Sequence, residues 1–288
     1  MSLSEALSSI FVMPFMIRAM LVLLALAIAA GVIGVFINLR GLEFMADGLT
    51  HAVFPGIAAG FALSGQEGLV VGALAAAAFA TVTLTLLSHR RVTSDTAVAI
   101  VLTAMFSLGV IIVSRSRHVT GSLEQLLFGH LFTVSVTEVL LTAGICVGAL
   151  LLVMTSLRGQ LFSAFDSAGA QAAGYRELTN LLLLNIAIAG VVVSASIAVG
   201  NLLVLAILIV PGAVARMWAR GLAGVFTGAL LFAVVFAFAG LIGAFVVSVS
   251  TDVAIPGGAA IAVIFVAGYV LSLAFRLVIQ QRRRAAGS

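Results

Sequence analysis

Lysine is absent: every one of the 14 Lys/Arg positions in the 288-residue chain is arginine. A phosphate-binding loop of the G-x-x-x-x-G-K-[ST] type needs that lysine, as does Schiff-base catalysis, so neither chemistry is available. Any ATP that drives this protein is hydrolysed on another chain. The single cysteine, Cys146, lies in an apolar run and leaves neither an intrachain disulfide nor a cysteine-rich metal centre. It reads as a small packing residue. Charge is scarce too: 8% of residues are charged, 63% are hydrophobic, and mean hydropathy is +1.31. Soluble domains carry about 25% charged residues. The net charge of +4 sits in short clusters between apolar runs, which excludes a nucleic-acid partner and a soluble enzyme.

What is present is a series of long apolar runs. A helix needs about 20 such residues to cross a bilayer, where the backbone must satisfy its own hydrogen bonds. That criterion picks out residues 19–39, 47–64, 69–88, 96–114, 137–156, 178–199, 202–218, 222–249 and 258–279. The division at Gly200–Asn201 is the least marked, so the expected fold is an all-α, polytopic membrane bundle of eight or nine transmembrane helices. The whole chain, 1–288, reads as one membrane domain, with a bundle over 18–279, a cytoplasmic segment over 158–177 and a cytoplasmic tail over 280–288. Arginine bias places the C-terminus inside, an odd span count puts the N-terminus outside, and only Arg18, Arg115 and Arg117 break the pattern. The stretch up to Arg18 lacks the charged start and cleavage site of a signal peptide, so it is expected to be retained. The alanine-rich run from Gly72 to Ala80 and the 29 glycines fit close helix packing.

Ionisable residues at membrane depth cost from about 2.5 to over 10 kcal/mol, so each needs a partner or a task. Asp47 and His51 lead, four apart in Met45-Ala-Asp-Gly-Leu-Thr-His-Ala-Val-Phe-Pro-Gly56. On a helix that spacing puts carboxylate and imidazole on one face, a turn apart. Together they suit manganese, iron or zinc, or they form an ordinary intrahelical hydrogen bond near a helix start. Two ligands are too few for tight binding, and a twofold axis facing this helix would double them. Pro55 removes a backbone hydrogen bond, which marks a cavity, a moving segment or a plain kink. Glu124 and His130 occupy a run too short to span, read as an interfacial lid or re-entrant segment. Asp252, before Pro256, reads as a helix cap, with attraction of cations as the alternative. Asn185 and Asn201 are expected to hydrogen-bond across helices. On the inner face, Asp166 as an N-cap, the alanines around Ala170 and a stop at Gly174 ahead of Arg176 predict a short helix, either a connector or a contact for a soluble partner.

The stretch Asp47-Gly-Leu-Thr-His-Ala-Val-Phe-Pro-Gly56 resembles the D-x-[IL]-[ST]-H-A-[VI]-[LF]-P-G signature of the membrane subunits of bacterial manganese/zinc/iron ABC importers. Further stretches are similar in the same order: Asp95 to Gly109, Leu126-Leu-Phe-Gly129, Asp166 to Gly174, Val199 to Arg216 with Pro211 inside it, and Pro256-Gly-Gly258. The chain departs with Thr50 before the histidine, Ser-Ala-Gly after Asp166, and Asn201. The resemblance implies a type II ABC importer-like permease, non-catalytic and with no permanently bound cofactor. Its cargo would be manganese, zinc or iron. Its partners would be a second permease copy, two ATP-binding cassette ATPase subunits, an extracytoplasmic metal-binding protein and membrane lipid. Asp47 and His51 would be path ligands, Pro55, Gly56 and Pro211 would shape gating, and Asp166, Ala170, Gly174 and Arg176 would meet the ATPase. Permeation of a siderophore or cobalamin chelate and proton-coupled metal transport are the alternatives. An intramembrane serine protease is disfavoured, because no Gly-x-Ser-Gly pattern is followed by a membrane histidine.

Overall fold

The computed structural model describes residues 13–89, 93–115, 129–251 and 255–286, and its regular elements are all helical. They run α1 Pro14–Arg40, α2 Glu43–Ser64, α3 Gly68–His89, α4 Ser94–Arg115, α5 Val136–Thr155, α6 Leu157–Phe165, α7 Ser167–Ala172, α8 Glu177–Ala198, α9 Asn201–Trp218, α10 Leu222–Thr251 and α11 Gly257–Ala286. Among the described residues, 8 helices are long and apolar enough to cross a membrane. The protein is a multi-pass, all-α membrane bundle. Helix α2, with 22 residues, has the length but falls outside those 8, and it is the helix that bears Asp47 and His51.

Boundaries differ from the hydropathy reading where local chemistry extends a helix. Helix α1 starts at Pro14 rather than residue 19, because a proline at the first position has its φ already set and no N–H to lose. Helix α11 runs on to Ala286, with Arg283 and Arg284 in its last turn, where cations favour the negative end of the dipole. Part of the tail over 280–288 is therefore helical. The separation at Gly200 is real: its φ of 85° ends α8 and lets α9 begin one residue later, a left-handed conformation that glycine adopts without strain.

Two groups of helices meet across α8. In one, α1 packs against α10, α9 and α5; in the other, α2 packs along α3 and α4, and α8 touches both. Helices α1 and α8 are the most buried spans, α4, α5 and α11 the least. Phe36, Phe265, Leu23 and Leu26 are fully enclosed. With no hydrophobic drive between helices in lipid, close approach and interhelical hydrogen bonds hold such groups together. A close approach joins α2 and α3, where a Cβ on Gly56 would strike the carbonyl of Gly72, and one on Gly60 that of Gly68. Asn185 Nδ2 donates to Thr85 Oγ1 at 3.0 Å, linking α8 to α3, and Ser196 Oγ donates to Asn201 Oδ1 at 2.6 Å across the α8–α9 turn. Both asparagines thus bridge helices as expected from sequence.

Candidate ion-path site

Asp47 and His51 lie four and eight residues after Glu43, hence roughly 6 and 12 Å along α2. Asp47 Oδ1 and His51 Nε2 are 3.5 Å apart. That is long for a hydrogen bond between them, so the two groups are neighbours on one face with lone pairs to spare. Their side chains are 33% and 41% exposed in the single chain, while Thr50 between them is buried and turns its hydroxyl back to the Ala46 carbonyl at 2.9 Å. The pair therefore occupies the open side of α2, and the threonine its packed side.

Helix α4 supplies one wall. Phe106 stands edge-on to the His51 ring with centroids 6.4 Å apart and stacks on Phe54 at 6.2 Å. A Cβ on Gly48 would come within 2.8 Å of Val98, and one on Gly109 within 2.8 Å of Phe54, so glycines at both ends of this wall let α2 and α4 close on each other. Pro55 is buried inside α2. It has no N–H to give to the His51 carbonyl one turn back, and among the described residues no side chain donates to that oxygen.

Among the described residues, no group of three or more His, Cys, Asp or Glu side chains comes together. The chain by itself offers one carboxylate and one imidazole at this point. Other sequence candidates lie apart. His130 Nε2 and Glu138 Oε1 are 2.9 Å apart at the start of α5, where Glu138 also closes a capping box with Ser135. That pairing was not anticipated, although Ser135-x-x-Glu138 is the sequence signature of such a box. Glu124, Asp252 and Arg117 lie outside the described residues, and Arg115 ends α4. Pro211 is buried within α9.

At the other polar site, Asp166 ends α6 and caps α7, its carboxylate accepting from the Gly169 N–H at 2.8 Å. Ala170 is buried, Gly174 turns the chain at φ 88°, and Arg176 precedes α8. The expected short helix is present, but it follows a second one, α6, which sequence reading folded into the connector. Gln160 of α6 fastens this segment to the bundle: it accepts from Arg40 Nη1 at 2.7 Å and donates to the Asn180 carbonyl at 2.6 Å.

Long apolar helices packed through glycine, with a carboxylate–imidazole face half open, define a polytopic membrane protein. Residues 12–276 match the model of the ABC 3 transport family, and the chain belongs to that family. It is 34% identical over 261 residues to the manganese transport system membrane protein MntC of Halalkalibacterium halodurans, covering 90% of this chain and 85% of that one. It is 33% identical over 228 residues to the chelated iron transport system membrane protein YfeD of Yersinia pestis, covering 76% and 73%. Among solved structures it resembles PsaBC from Streptococcus pneumoniae in complex with Fab, with a TM-score of 0.79, 28% identity and coverage of 94% and 95%.

Proposed function

We propose that the chain is the permease subunit of an ATP-driven importer in a bacterial plasma membrane, carrying a divalent transition-metal ion, with Asp47 and His51 as the ligands it contributes to the path. The position of the pair carries this reading. Packed along α3 and α4, which are apolar enough to span, α2 would carry its carboxylate and imidazole at membrane depth, where they cannot be left to lipid, given the cost of ionisable groups there. Water or protein has to cover them. A second copy related by a twofold axis would bring two Asp and two His together, a set suited to manganese, zinc or iron and, without thiolates, adapted to passing an ion on.

The permease does no chemistry on its cargo. With no lysine for a phosphate loop, ATP turnover belongs to two ATP-binding cassette subunits, docked at the segment from Arg158 through α6 and α7 to Arg176. An extracytoplasmic metal-binding protein would deliver the ion at the opposite end. The Halalkalibacterium relative is a manganese system, which makes manganese the first ion to test.

The decisive experiment is co-purification with the ATPase subunits, reconstitution in liposomes, and ATP hydrolysis measured with manganese, zinc and iron in turn. Metal-stimulated hydrolysis with uptake is expected, and its loss in Asp47→Ala and His51→Ala. If no nucleotidase associates, the importer loses its energy source, and nucleotide-free uptake by the chain alone would make it a proton-coupled carrier. The chelated-iron name of the Yersinia relative favours one second reading, a permease for a metal chelate. Uptake that survives both alanine variants would select it.

A further inference from the structure

Helices α2, α3 and α4 pack on one another, and the rest of the bundle meets them mainly through α8, with a smaller contact from α9 to α2. Inside this group the attachment is backbone on backbone: Gly56 faces Gly72 and Gly60 faces Gly68, with no room for a Cβ between α2 and α3. Across the seam to α8 and α9 it is thinner. Of the hydrogen bonds and ion pairs among the described residues, one crosses it, from Asn185 Nδ2 to Thr85 Oγ1 at 3.0 Å.

That bond leaves complementary groups unused on both helices. Asn185 is fully buried, and its Oδ1 has no donor. Thr85 cannot supply one, because its own proton goes to the Thr81 carbonyl at 2.7 Å. One turn along α3, the hydroxyl of the buried Thr81 has no partner at all. A buried acceptor without a donor and a buried hydroxyl without an acceptor are each unfavourable, and each is what the other lacks. Thr81 and Thr85 are four residues apart, so they share one face of α3 about 6 Å apart along its axis. Ser88 on the other side of Thr85 also has an unpartnered hydroxyl, but it is less buried.

We propose that Asn185 is a two-position latch: α2, α3 and α4 slide as one body along α8 by up to one helical turn, and the Asn185 amide exchanges Thr85 for Thr81. In the second position the Thr81 hydroxyl donates to Asn185 Oδ1, so a hydrogen bond crosses the seam in both. Register shifts of up to a turn between packed helices are bistable steps of this kind. Asp47 and His51 ride on α2, so the slide would also move the ion-path face past α8 and α9. That consequence rests on the transport reading; the latch itself does not.

The glycine pairs make α2 and α3 antiparallel, and Gln160 joins Arg40, at the end of α1, to Asn180, near the start of α8, so α3 and α8 are antiparallel too. Val71 and Thr179, both exposed, therefore lie toward opposite ends of the pair, and a slide toward Thr81 brings them closer. Pulsed electron paramagnetic resonance of the full-length chain in lipid nanodiscs, spin-labelled at Val71→Cys and Thr179→Cys in a Cys146→Ala background, reads that distance. A second distance, shorter by up to about 5 Å, is expected in the wild type and should be enriched in Thr85→Val. Thr81→Val should cut the shorter population about tenfold, as loss of one buried hydrogen bond implies, while its melting temperature stays at the wild-type value because no bond of the present arrangement is lost. A single, unchanged distance in both the wild type and Thr85→Val would overturn the latch, as would a longer second distance, which would take Ser88 as the partner. Two distances in a chain that takes up no metal would sink the transport reading and leave the latch standing.

Discussion

Helices α2 and α9 each carry a buried proline in mid-helix, yet their surroundings are opposite. Around Pro211, α9 is sealed against α1. Asn38 Nδ2 donates to the Ile209 carbonyl at 3.0 Å and to the Gly34 carbonyl at 2.9 Å, and Arg216 donates to the Asn38 carbonyl. A Cβ on Gly212 would come within 2.8 Å of the Gly34 carbonyl, so backbones are in contact here. Around Pro55, one side of α2 is equally tight against the glycines of α3, but the other holds Asp47 and His51 at an open face. The same residue, proline, sits among tightly packed, hydrogen-bonded backbone in one helix and on a helix with a half-open carboxylate–imidazole face in the other. A proline in a membrane helix is thus informative only through what packs around it.

Substitutions can break this comparison at several strengths. The largest effect should come from filling the glycine contacts, which both regions share: Gly56→Leu and Gly34→Leu each drive a side chain into a facing backbone carbonyl, of Gly72 and Leu208 respectively. Overpacking costs typically about 1–3 kcal/mol and more where backbone must move, so both variants should lose most detergent-stable protein, read by size-exclusion yield and thermal melting. Equal melting of either variant and the wild type would mean that the helices do not touch as described.

Next in size, and confined to α2, is the response of Asp47→Ala. Metal uptake should fall by more than about 100-fold, because residues that merely support a metal ligand already cost about 10–100-fold when removed. Melting should stay within about 1 kcal/mol of wild type, since the side chain is partly exposed. A variant that melts early while retaining uptake per folded molecule would reverse the roles assigned to the two regions. Asn38→Leu should show the mirror pattern. Stability should drop by about 1–3 kcal/mol from the lost cross-helix bonds, while uptake per folded molecule is kept. The smallest effect belongs to Asp166→Ala: removal of the α7 cap should cost about 1 kcal/mol and weaken association with the ATPase, measured by pull-down at rising salt.

Much of this arrangement is legible in the order of residues, though unevenly. The spans are visible because hydropathy over about 20 residues is a local property, and Asp47, His51 and Pro55 stand out because they violate it. The cap at Asp166 and the turn at Gly200 are legible for the same reason, each depending on a few adjacent residues. Helix α6 was missed because Leu157–Phe165 has neither the length nor the apolarity of a span and follows α5 after one residue, Ser156. The His130–Glu138 pair is not legible from intramembrane charge because Glu138 belongs to a capping box at a helix start, and its partner lies eight positions away across a turn.

Composition and periodicity were enough to establish a lysine-free, multi-pass helical protein with one conspicuous carboxylate–imidazole pair, since each of these depends on residues near one another along the chain. Which side of α2 is open, which glycines meet across helices, how Gln160 ties Arg40 to Asn180, and where the Asn185 amide is left one partner short were settled only by folding. Those features join residues far apart in the chain, 120 positions in the case of Arg40 and Gln160, and a helix in lipid carries no local signal of which neighbour it will face.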